Sequence, residues 1–142
     1  IESFNIKKKY PDTLIIEIFE KKPIAILLFK KEKFYLSEKI DLIKFKTLPI
    51  KIDLPYVIGN KDEFKIFHAS LKKIDFPLEK IKKYTLYENN RWDLETNNNK
   101  LIKLPTKEHE KSLLNYLDLI KKDNFKKYRV FDYRINNQLI LK

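Results

Sequence analysis

The side chains that could act as nucleophiles, acid–base groups or metal ligands are few in this sequence. It has no cysteine, which excludes thiolate catalysis and cysteine-based zinc or iron–sulfur sites. Its two histidines, His68 and His109, lie in different predicted helices, with no carboxylates at the spacing of a metal site. We expect a buried, hydrogen-bonded His68 on the apolar face of its helix and a solvent-exposed His109. The sequence therefore predicts no metal site and no cofactor.

Catalytic motifs that depend on glycine cannot form here. Gly59 is the only glycine, so nucleophile elbows, P-loops and dinucleotide-binding fingerprints are excluded. Acidic residues are abundant, but no pair is set apart for acid–base catalysis. Trp92 could stack on a sugar, although a lone tryptophan at a strand start more often packs into a core or lies at an interface. We expect no catalytic residues and no enzymatic activity.

The formal net charge of +11 raises the possibility of nucleic-acid binding. Only Arg91, Arg129 and Arg134 carry the planar guanidinium that pairs with guanine, out of 31 basic residues. The lysines are spread along the chain among 20 acidic residues. This pattern favours a solvated, lysine-rich surface over a nucleic-acid interface, and leaves a weak attraction to anionic lipid headgroups open.

The elements around these residues are predicted to be short strands joined by tight turns. Asparagine is the best substitute for glycine in a left-handed turn, so the runs at 89–90, 97–99 and 136–137 predict turns. Apolar–polar alternation predicts strands at 13–20, 23–30, 33–37, 41–46, 84–88, 91–96, 100–104, 128–135 and 138–142. Pro49 and Pro55 predict an extended connection over 46–60 rather than a central strand.

Two helices interrupt the predicted strands. Asn60 is a plausible N-cap for the first, with Glu63 three residues on. Its apolar face is predicted to hold Phe64, Phe67, His68 and Leu71. Thr106 is the predicted N-cap of the second, and Lys121 and Lys122 suit its C-terminal end. Its apolar stripe is predicted to hold Leu113, Tyr116, Leu117 and Ile120. The predicted class is α+β, a mixed sheet with two main helices packed on it.

A sheet protein without a catalytic site can work through an exposed edge. An edge strand offers unpaired N–H and C=O groups to a partner strand. The final predicted pair, 128–135 and 138–142, is terminal and is therefore the best candidate for such an edge. Arg129, Asp132 and Arg134 either guard it against aggregation or contact a partner, and the pattern leaves both readings open.

The order of segments resembles the extracytoplasmic part of the bacterial cell-division family FtsQ, called DivIB in Gram-positive bacteria. The family's basic strand, aromatic-Pro-Asp turn and next strand are similar to IKKKYPDTLIIEIFEKKPIA. Its following hairpin is similar to FYLSEKIDLIKF, and its Leu-Pro turn before the first helix to LPYVIGN. Its tryptophan-containing hairpin and closing Asp-x-Arg strand are similar to RWDLETNNNKLIKL and YRVFDYRINNQLIL.

The resemblance implies a protein with a cytoplasmic tail, one transmembrane helix, a POTRA domain and a β-domain. Residues 1–27 are then the C-terminal part of the POTRA domain, and residues 28–142 the β-domain. The missing first part of the POTRA domain and the membrane anchor are expected upstream. The implied location is the inner (plasma) membrane, single-pass, with this segment on the extracytoplasmic (periplasmic) side at the division septum.

The resemblance also implies a divisome scaffold rather than an enzyme. The implied partners are FtsB (DivIC) and FtsL, which add a strand to the terminal strand region, and other divisome proteins. The family's Asp-Leu-Arg-Tyr stretch falls on Asp132, Tyr133, Arg134 and Ile135, with isoleucine where an aromatic residue is usual. Arg134 is predicted to pair with a partner carboxylate. The full predicted set of partner-binding residues is Asp132, Tyr133, Arg134, Ile135, Asn136, Leu139, Ile140 and Trp92.

Two alternative functions remain open at this point. A POTRA-type module for outer-membrane assembly or secretion would share the N-terminal segment but not the tryptophan hairpin and closing strand. A basic nucleic-acid-binding domain would bind DNA with a steep salt dependence, whereas strand addition should tolerate moderate salt.

Overall fold

The computed structural model describes residues 3–10, 13–19, 23–44 and 53–142. Strand β1 (Ser3–Tyr10) pairs antiparallel with β2 (Thr13–Phe19) in a two-stranded sheet. The other strands of the described part form one nine-stranded sheet. They are β3 (Pro23–Phe29), β4 (Glu32–Ser37), β5 (Leu42–Lys44), β6 (Tyr56–Ile58), β7 (Ile81–Leu86), β8 (Trp92–Thr96), β9 (Leu101–Lys103), β10 (Val130–Asp132) and β11 (Ile140–Leu141).

The nine strands lie in the order β11-β10-β9-β8-β7-β6-β3-β4-β5. Strand β6 is parallel to β3 and β7, and β9 is parallel to β10, while the other neighbours are antiparallel. Helix α1 (Lys61–Lys73) connects β6 to β7, and helix α2 (His109–Ile120) lies between β9 and β10. Each helix therefore provides the crossover that a parallel pair requires. The predicted class, a mixed sheet with two main helices, is confirmed.

Strand β6 corrects the sequence prediction of an extended connection. Tyr56–Ile58 lies between β3 and β7, in the interior of the sheet. Pro55 precedes this strand, so its missing N–H is not needed in the ladder, and its carbonyl accepts the Ile26 N–H at 2.9 Å. The other proline of that stretch, Pro49, lies outside the described residues.

Helix α1 begins and packs as the sequence predicts. The Asn60 side chain accepts the Glu63 N–H at 2.8 Å, which satisfies one of the free donors of the first turn. Its buried residues are Phe64, Phe67, His68 and Leu71, as expected from their helical spacing.

The predicted start of helix α2 is wrong. The helix begins at His109, and the residue before it, Glu108, has left-handed backbone angles (φ 58°, ψ 34°) with no side-chain cap. Thr106 is therefore not the N-cap. The helix ends at Ile120, so Lys121 is the C-cap and Lys122 lies beyond it. The apolar stripe is confirmed, with Leu113 and Tyr116 buried and Leu117 and Ile120 partly buried against the core.

Both helices cover the same face of the sheet, called here the inner face. One register row on this face crosses seven strands and forms the floor of the core: Leu27, Val57, Tyr84, Leu94, Ile102, Phe131 and Leu141. The Phe64 ring of α1 meets Tyr84 edge-on at 4.9 Å, and the Tyr116 ring of α2 meets Phe131 at 4.9 Å. The opposite side of the sheet is called the outer face.

The three asparagine turns are confirmed, and each uses a left-handed asparagine. Asn90, Asn99 and Asn137 have φ angles of 60°, 62° and 59°. Each turn is closed by a backbone hydrogen bond, for example from the Gln138 N–H to the Ile135 carbonyl at 3.1 Å. Asparagine thus adopts the left-handed turn conformation that glycine usually provides, in a chain that has only one glycine.

Candidate partner-binding edge

Strand β11 forms one edge of the nine-stranded sheet, with β10 as its neighbour. Just after it, Lys142 and Val130 exchange two backbone hydrogen bonds of 3.1 Å, a closely spaced pair in an antiparallel ladder. Because the N–H and C=O groups of successive residues alternate in direction, those of Leu141 point away from β10. The edge therefore presents a backbone donor and acceptor to an incoming strand.

The side chains around this edge are mainly apolar. Ile140 is opposite Asp132 in the ladder and is on the outer face, with 38% of its surface exposed. Leu141 is opposite Phe131 on the inner face, where it and Leu139 pack partly buried against the core. The edge is thus supported from inside by the core and exposes Ile140 on the outside.

Asp132 and Arg134 form a bidentate ion pair within the chain. The Arg134 Nε donates to Asp132 Oδ1 at 2.9 Å, Nη2 donates to Oδ2 at 2.7 Å, and the Arg134 backbone N–H donates to Oδ1 at 3.0 Å. These hydrogen bonds hold the pKa of Asp132 below its usual value and raise that of Arg134. Asp132 is only 4% exposed, whereas the Arg134 side chain is 46% exposed. Asp132 is therefore not a surface guard of the edge.

Other charged groups surround this pair on the outer face. Asp93, Lys103 and Asp132 occupy one register row across β8, β9 and β10. Asp93 is buried, forms an ion pair with Arg91, and contributes to the raised pKa of Arg134. Arg91, Asp93 and Lys103 are not among the partner-binding residues predicted from the sequence. Asp93 and Lys103 lie at alternating positions of short predicted strands, which is a signal for the face of the sheet on which they lie. Their alignment with Asp132 depends on the strand pairing, which the sequence does not give.

Tyr133 fastens the segment after β10 to helix α2. Its side chain is 7% exposed, its hydroxyl donates to Asn115 Oδ1 at 2.9 Å, and burial raises its pKa. Its backbone N–H donates to the Lys103 carbonyl at 2.8 Å. Tyr133 is therefore already packed within the chain, and Ile135, at 52% exposure, is the more accessible of these two predicted partner-binding residues.

The turn between β10 and β11 borders a groove against helix α2. The groove has a volume of about 620 Å³. Ile135, Asn136 and Leu139 line it from the turn, and Lys111 and Asn115 line it from the helix. Seven of the eight predicted partner-binding residues therefore lie together in the segment from Asp132 to Ile140.

Trp92 is separated from the other predicted residues. It is 5% exposed on the inner face, where its ring stacks on Phe67 of α1 at 5.0 Å with an interplanar angle of 10°. A side chain in this position cannot touch a strand added at β11. Its role is in the core, the commoner of the roles considered for a lone tryptophan.

The histidines show no arrangement suited to chemistry. His68 is buried, as predicted, and burial lowers its pKa. The expectation for His109 is wrong, because its Nε2 is buried without a hydrogen-bond partner and its ring packs 5.2 Å from Phe67. Burial lowers the pKa of His109 as well. Within the described residues, no group of three or more histidine, aspartate or glutamate side chains could hold a metal ion.

Among the described residues, no helix has the length and apolar character needed to cross a membrane. The longest helix in this part of the chain, α1, has 13 residues and carries charged side chains on its exposed side.

The sequence matches the family model described as "Cell division protein FtsQ/DivIB, C-terminal" over residues 31–134. It is 32% identical over 146 aligned residues to the cell division protein FtsQ of Rickettsia typhi. It is 29% identical over 143 residues to that of Rickettsia conorii. Both alignments cover 97% of this chain and 53% of the relative, so the chain spans about half the length of the curated relatives it matches.

Among solved structures, the fold is similar to the major extracytoplasmic domain of the trans isomer of the cell division protein DivIB from Geobacillus stearothermophilus. The TM-score is 0.48, the sequence identity is 16%, and the match covers 72% of this chain and 92% of that one.

Proposed function

The chain belongs to the FtsQ/DivIB family of bacterial cell-division proteins, and from this premise we propose that it is a non-enzymatic scaffold of the divisome. It binds the FtsB/DivIC–FtsL complex by β-strand addition at β11. Through that complex it links early and late division proteins during septum formation.

The observation that carries this proposal is the free edge of β11. Leu141 directs its backbone N–H and C=O away from the sheet, and Ile140 offers an exposed apolar side chain next to them. A partner strand can form main-chain hydrogen bonds with Leu141 and can bury an apolar side chain against Ile140.

The side chains beside the edge contribute to binding in different ways and to different extents in this proposal. Ile135 and Ile140 supply apolar contacts, which contribute more than charges at a wet rim. Arg134 keeps nearly half of its side chain exposed although it pairs with Asp132. It can therefore reach a partner carboxylate only while sharing its guanidinium with Asp132. Tyr133 acts by holding the segment against α2.

The domain arrangement is proposed with the function. Residues 1–27 form the end of a POTRA domain and residues 28–142 the β-domain, on the extracytoplasmic side of the inner membrane. An upstream transmembrane helix anchors the protein. The proposed boundary falls within β3, which pairs with both β4 and β6. The end of one domain and the start of the next therefore share a strand.

Calorimetric titration with the extracytoplasmic segment of the same organism's FtsB homologue, alone and with FtsL, tests the proposal. The sharpest variant is Leu141→Pro, because proline removes an N–H that points outward and that the sheet itself does not use. Ile140→Asp tests the apolar contact. Ile66→Asp on α1 is the matched control, since Ile66 is 64% exposed and distant in sequence from the edge.

We expect Leu141→Pro and Ile140→Asp each to weaken binding by about tenfold or more, in the range of an interface hot spot. Ile66→Asp should bind like the unaltered chain. Equal affinity for all four proteins would contradict strand addition at β11. Thermal melts of each variant check that lost binding is not lost folding. A DNA oligomer in parallel tests the nucleic-acid alternative.

A further inference from the structure

Within the described part of the chain, one buried side-chain nitrogen or oxygen lacks a hydrogen-bond partner, and it is Nε2 of His109. His109 is the first residue of helix α2. Its ring packs 5.2 Å from that of Phe67 in α1, and Phe67 in turn stacks on Trp92 at 5.0 Å. The start of α2 is therefore held against the core at this point by ring packing, without a hydrogen bond from the imidazole Nε2.

A cavity of about 190 Å³ adjoins this ring contact. The two helices line it with Glu63, Phe67 and His109, and Trp92 is among the residues that line it from the sheet. The cavity gives the imidazole space to leave Phe67, and its wall holds the side chain of Glu63.

The charged groups near the ring come from both helices, from the residues before α2 and from the sheet: Glu63, Lys73, Arg91, Lys107, Glu108 and Glu110. Lys73 pairs with Glu110 at 3.7 Å, and Arg91 pairs with Asp93 on the outer face. The two residues before the helix are exposed to solvent. Glu63 forms no ion pair within the described residues, so its carboxylate remains available to a cation that enters the cavity.

Protonation of His109 in this arrangement is costly for two reasons. An imidazolium has two N–H donors, and the one at Nε2 would be buried without an acceptor. Its positive charge would also lie at the positive end of the dipole of α2. Burial lowers the pKa of His109, and Glu110 opposes that shift only in part. The charged ring is therefore more stable once it has left its contact with Phe67.

The backbone before α2 makes the first turn of the helix a weak point. Glu108 has left-handed angles (φ 58°, ψ 34°), which are unfavourable for residues other than glycine, asparagine and aspartate. Its side chain accepts no hydrogen bond from the helix, so unwinding the first turn breaks no capping bond. The contact between His109 and Phe67 is therefore important for keeping this turn in place.

Helix α2 also forms one wall of the groove beside the turn between β10 and β11. Lys111 and Asn115 line that groove from the helix, and Ile135 lines it from the turn. Asn115 Oδ1 accepts the hydroxyl of Tyr133 at 2.9 Å. A change in the position of the start of α2 would therefore alter this groove and the support of the segment that follows β10.

We propose that His109 is a pH-sensitive latch, which fastens the first turn of α2 to Phe67 while its ring is neutral and frees that turn when the ring is protonated. The protonated ring turns into the cavity toward Glu63. The latch is closed above the ordinary histidine pKa of about 6.5, and the closed state loses stability as the pH falls below that value. Where the proposed function holds, opening of the latch also weakens binding at β11.

Amide hydrogen exchange followed by nuclear magnetic resonance at about pH 7.5 and about pH 5.5 tests the latch. The informative amides are those of Leu113 and Leu114, which in an α-helix bond to the carbonyls of His109 and Glu110. His109→Gln keeps a polar side chain that does not protonate. His68→Gln is the matched control, because His68 is the other histidine of the chain, is also buried, and lines a different cavity.

We expect the protection factors of these two amides to fall by up to about tenfold over this pH range, while those in β8 and β9 change little. The fall should be absent in His109→Gln and retained in His68→Gln. An equal fall in β8 and β9 would show unfolding of the whole domain and overturn the latch. A fall that persists in His109→Gln, or no fall in the unaltered chain, would overturn it as well.

Titration with the extracytoplasmic segment of the FtsB homologue at the same two pH values tests the link to the edge. We expect the unaltered chain to bind more weakly at the lower pH and His109→Gln to lose less affinity. Equal pH dependence of the two proteins would overturn the link. Absence of binding at both pH values would overturn the proposed function, and the exchange measurement would still decide the latch by itself.

Discussion

At the scale of single residues, the outer face near the edge is organised by buried carboxylates. Asp132 is almost inaccessible yet charged, because three donor groups of Arg134 hold it. Such a carboxylate fixes the direction in which the chain leaves β10, and with it the position of the turn that carries Ile135. The pair therefore contributes to the shape of the edge as well as to stability.

Asp132→Asn should lower the free energy of unfolding by about 1 kcal/mol at neutral pH, less than a fully buried charged hydrogen bond because Arg134 is half exposed. The pKa of Asp132 is depressed from the usual 3.8, so its contribution is full above that pH and is lost as the pH falls below it. Urea denaturation should show the difference from the unaltered chain shrinking in acid.

Asp123→Asn is the matched control for that prediction. Asp123 also pairs with a cation, Lys126 at 2.9 Å, but 91% of its side chain is exposed. A surface pair of this kind is worth little, so the unfolding free energy should hardly change. Equal effects of the two substitutions would mean that the Asp132 pair adds no more than a surface contact.

At the scale of elements, the connection from β6 to α1 depends on the one glycine. A Cβ on Gly59 would lie 2.8 Å from Leu86 Cβ, an atom fixed by the backbone of β7, and 3.4 Å from the Trp92 ring. Gly59 also has a φ of 159°, which side chains rarely adopt. The close approach lets the start of α1 lie directly over the core.

Gly59→Ala should therefore destabilise the chain by about 1–3 kcal/mol, as overpacking does. The measurement is the denaturation midpoint in urea, with Ser70→Ala within helix α1 as the control for a small change at a partly exposed position. A midpoint equal to that of the unaltered chain would mean that Leu86 moves aside freely.

Local signals allowed some elements to be predicted from the sequence and not others. The N-cap Asn60, Glu63 and the helical spacing of the apolar residues predict α1 almost completely. The asparagine runs predict the turns of the hairpins that contain them. Strand β6 could not be found, because it has three residues and its burial comes from neighbours distant in sequence. The start of α2 was missed because Glu108 takes a left-handed conformation that no cap residue signals.

The candidate edge was proposed on different grounds. Its residues were chosen from their terminal position in the sequence and from the family resemblance, and their role in binding a partner stays a prediction. Packing across the sheet determines three features of the edge that the sequence does not show. Arg134 pairs with Asp132, Tyr133 is buried, and Trp92 lies in the core. No pattern within one strand contains that information.

At the scale of the whole molecule, the two helices on one face bring both histidines into the core side of the protein. The pKa of His68 and that of His109 are lowered by burial. A folded chain that resists protonation is most stable above the unfolded histidine pKa of about 6.5 and loses stability as the pH falls below it.

The melting temperature should therefore fall between about pH 7.5 and about pH 5.5, a range in which unperturbed carboxylates do not titrate. The fall should be smaller in the His68→Leu, His109→Leu double variant, since the chain has no other histidine. If the double variant folds poorly, the same melting temperatures are measured on the two single variants, each of which should show part of the reduction. An equal fall in all variants would assign the pH dependence to other groups.

From β6 to β11 the spatial order of the strands repeats their order in the chain. Each strand can therefore pair with the one made before it, and contacts between near neighbours in sequence form quickly. The strand proposed to receive the partner is the last of this series. A chain that has assembled its core but not yet placed β11 exposes the edge of β10 instead, without the outward backbone groups of Leu141 or the side chain of Ile140. A partner strand that pairs with β11 would therefore select fully folded copies.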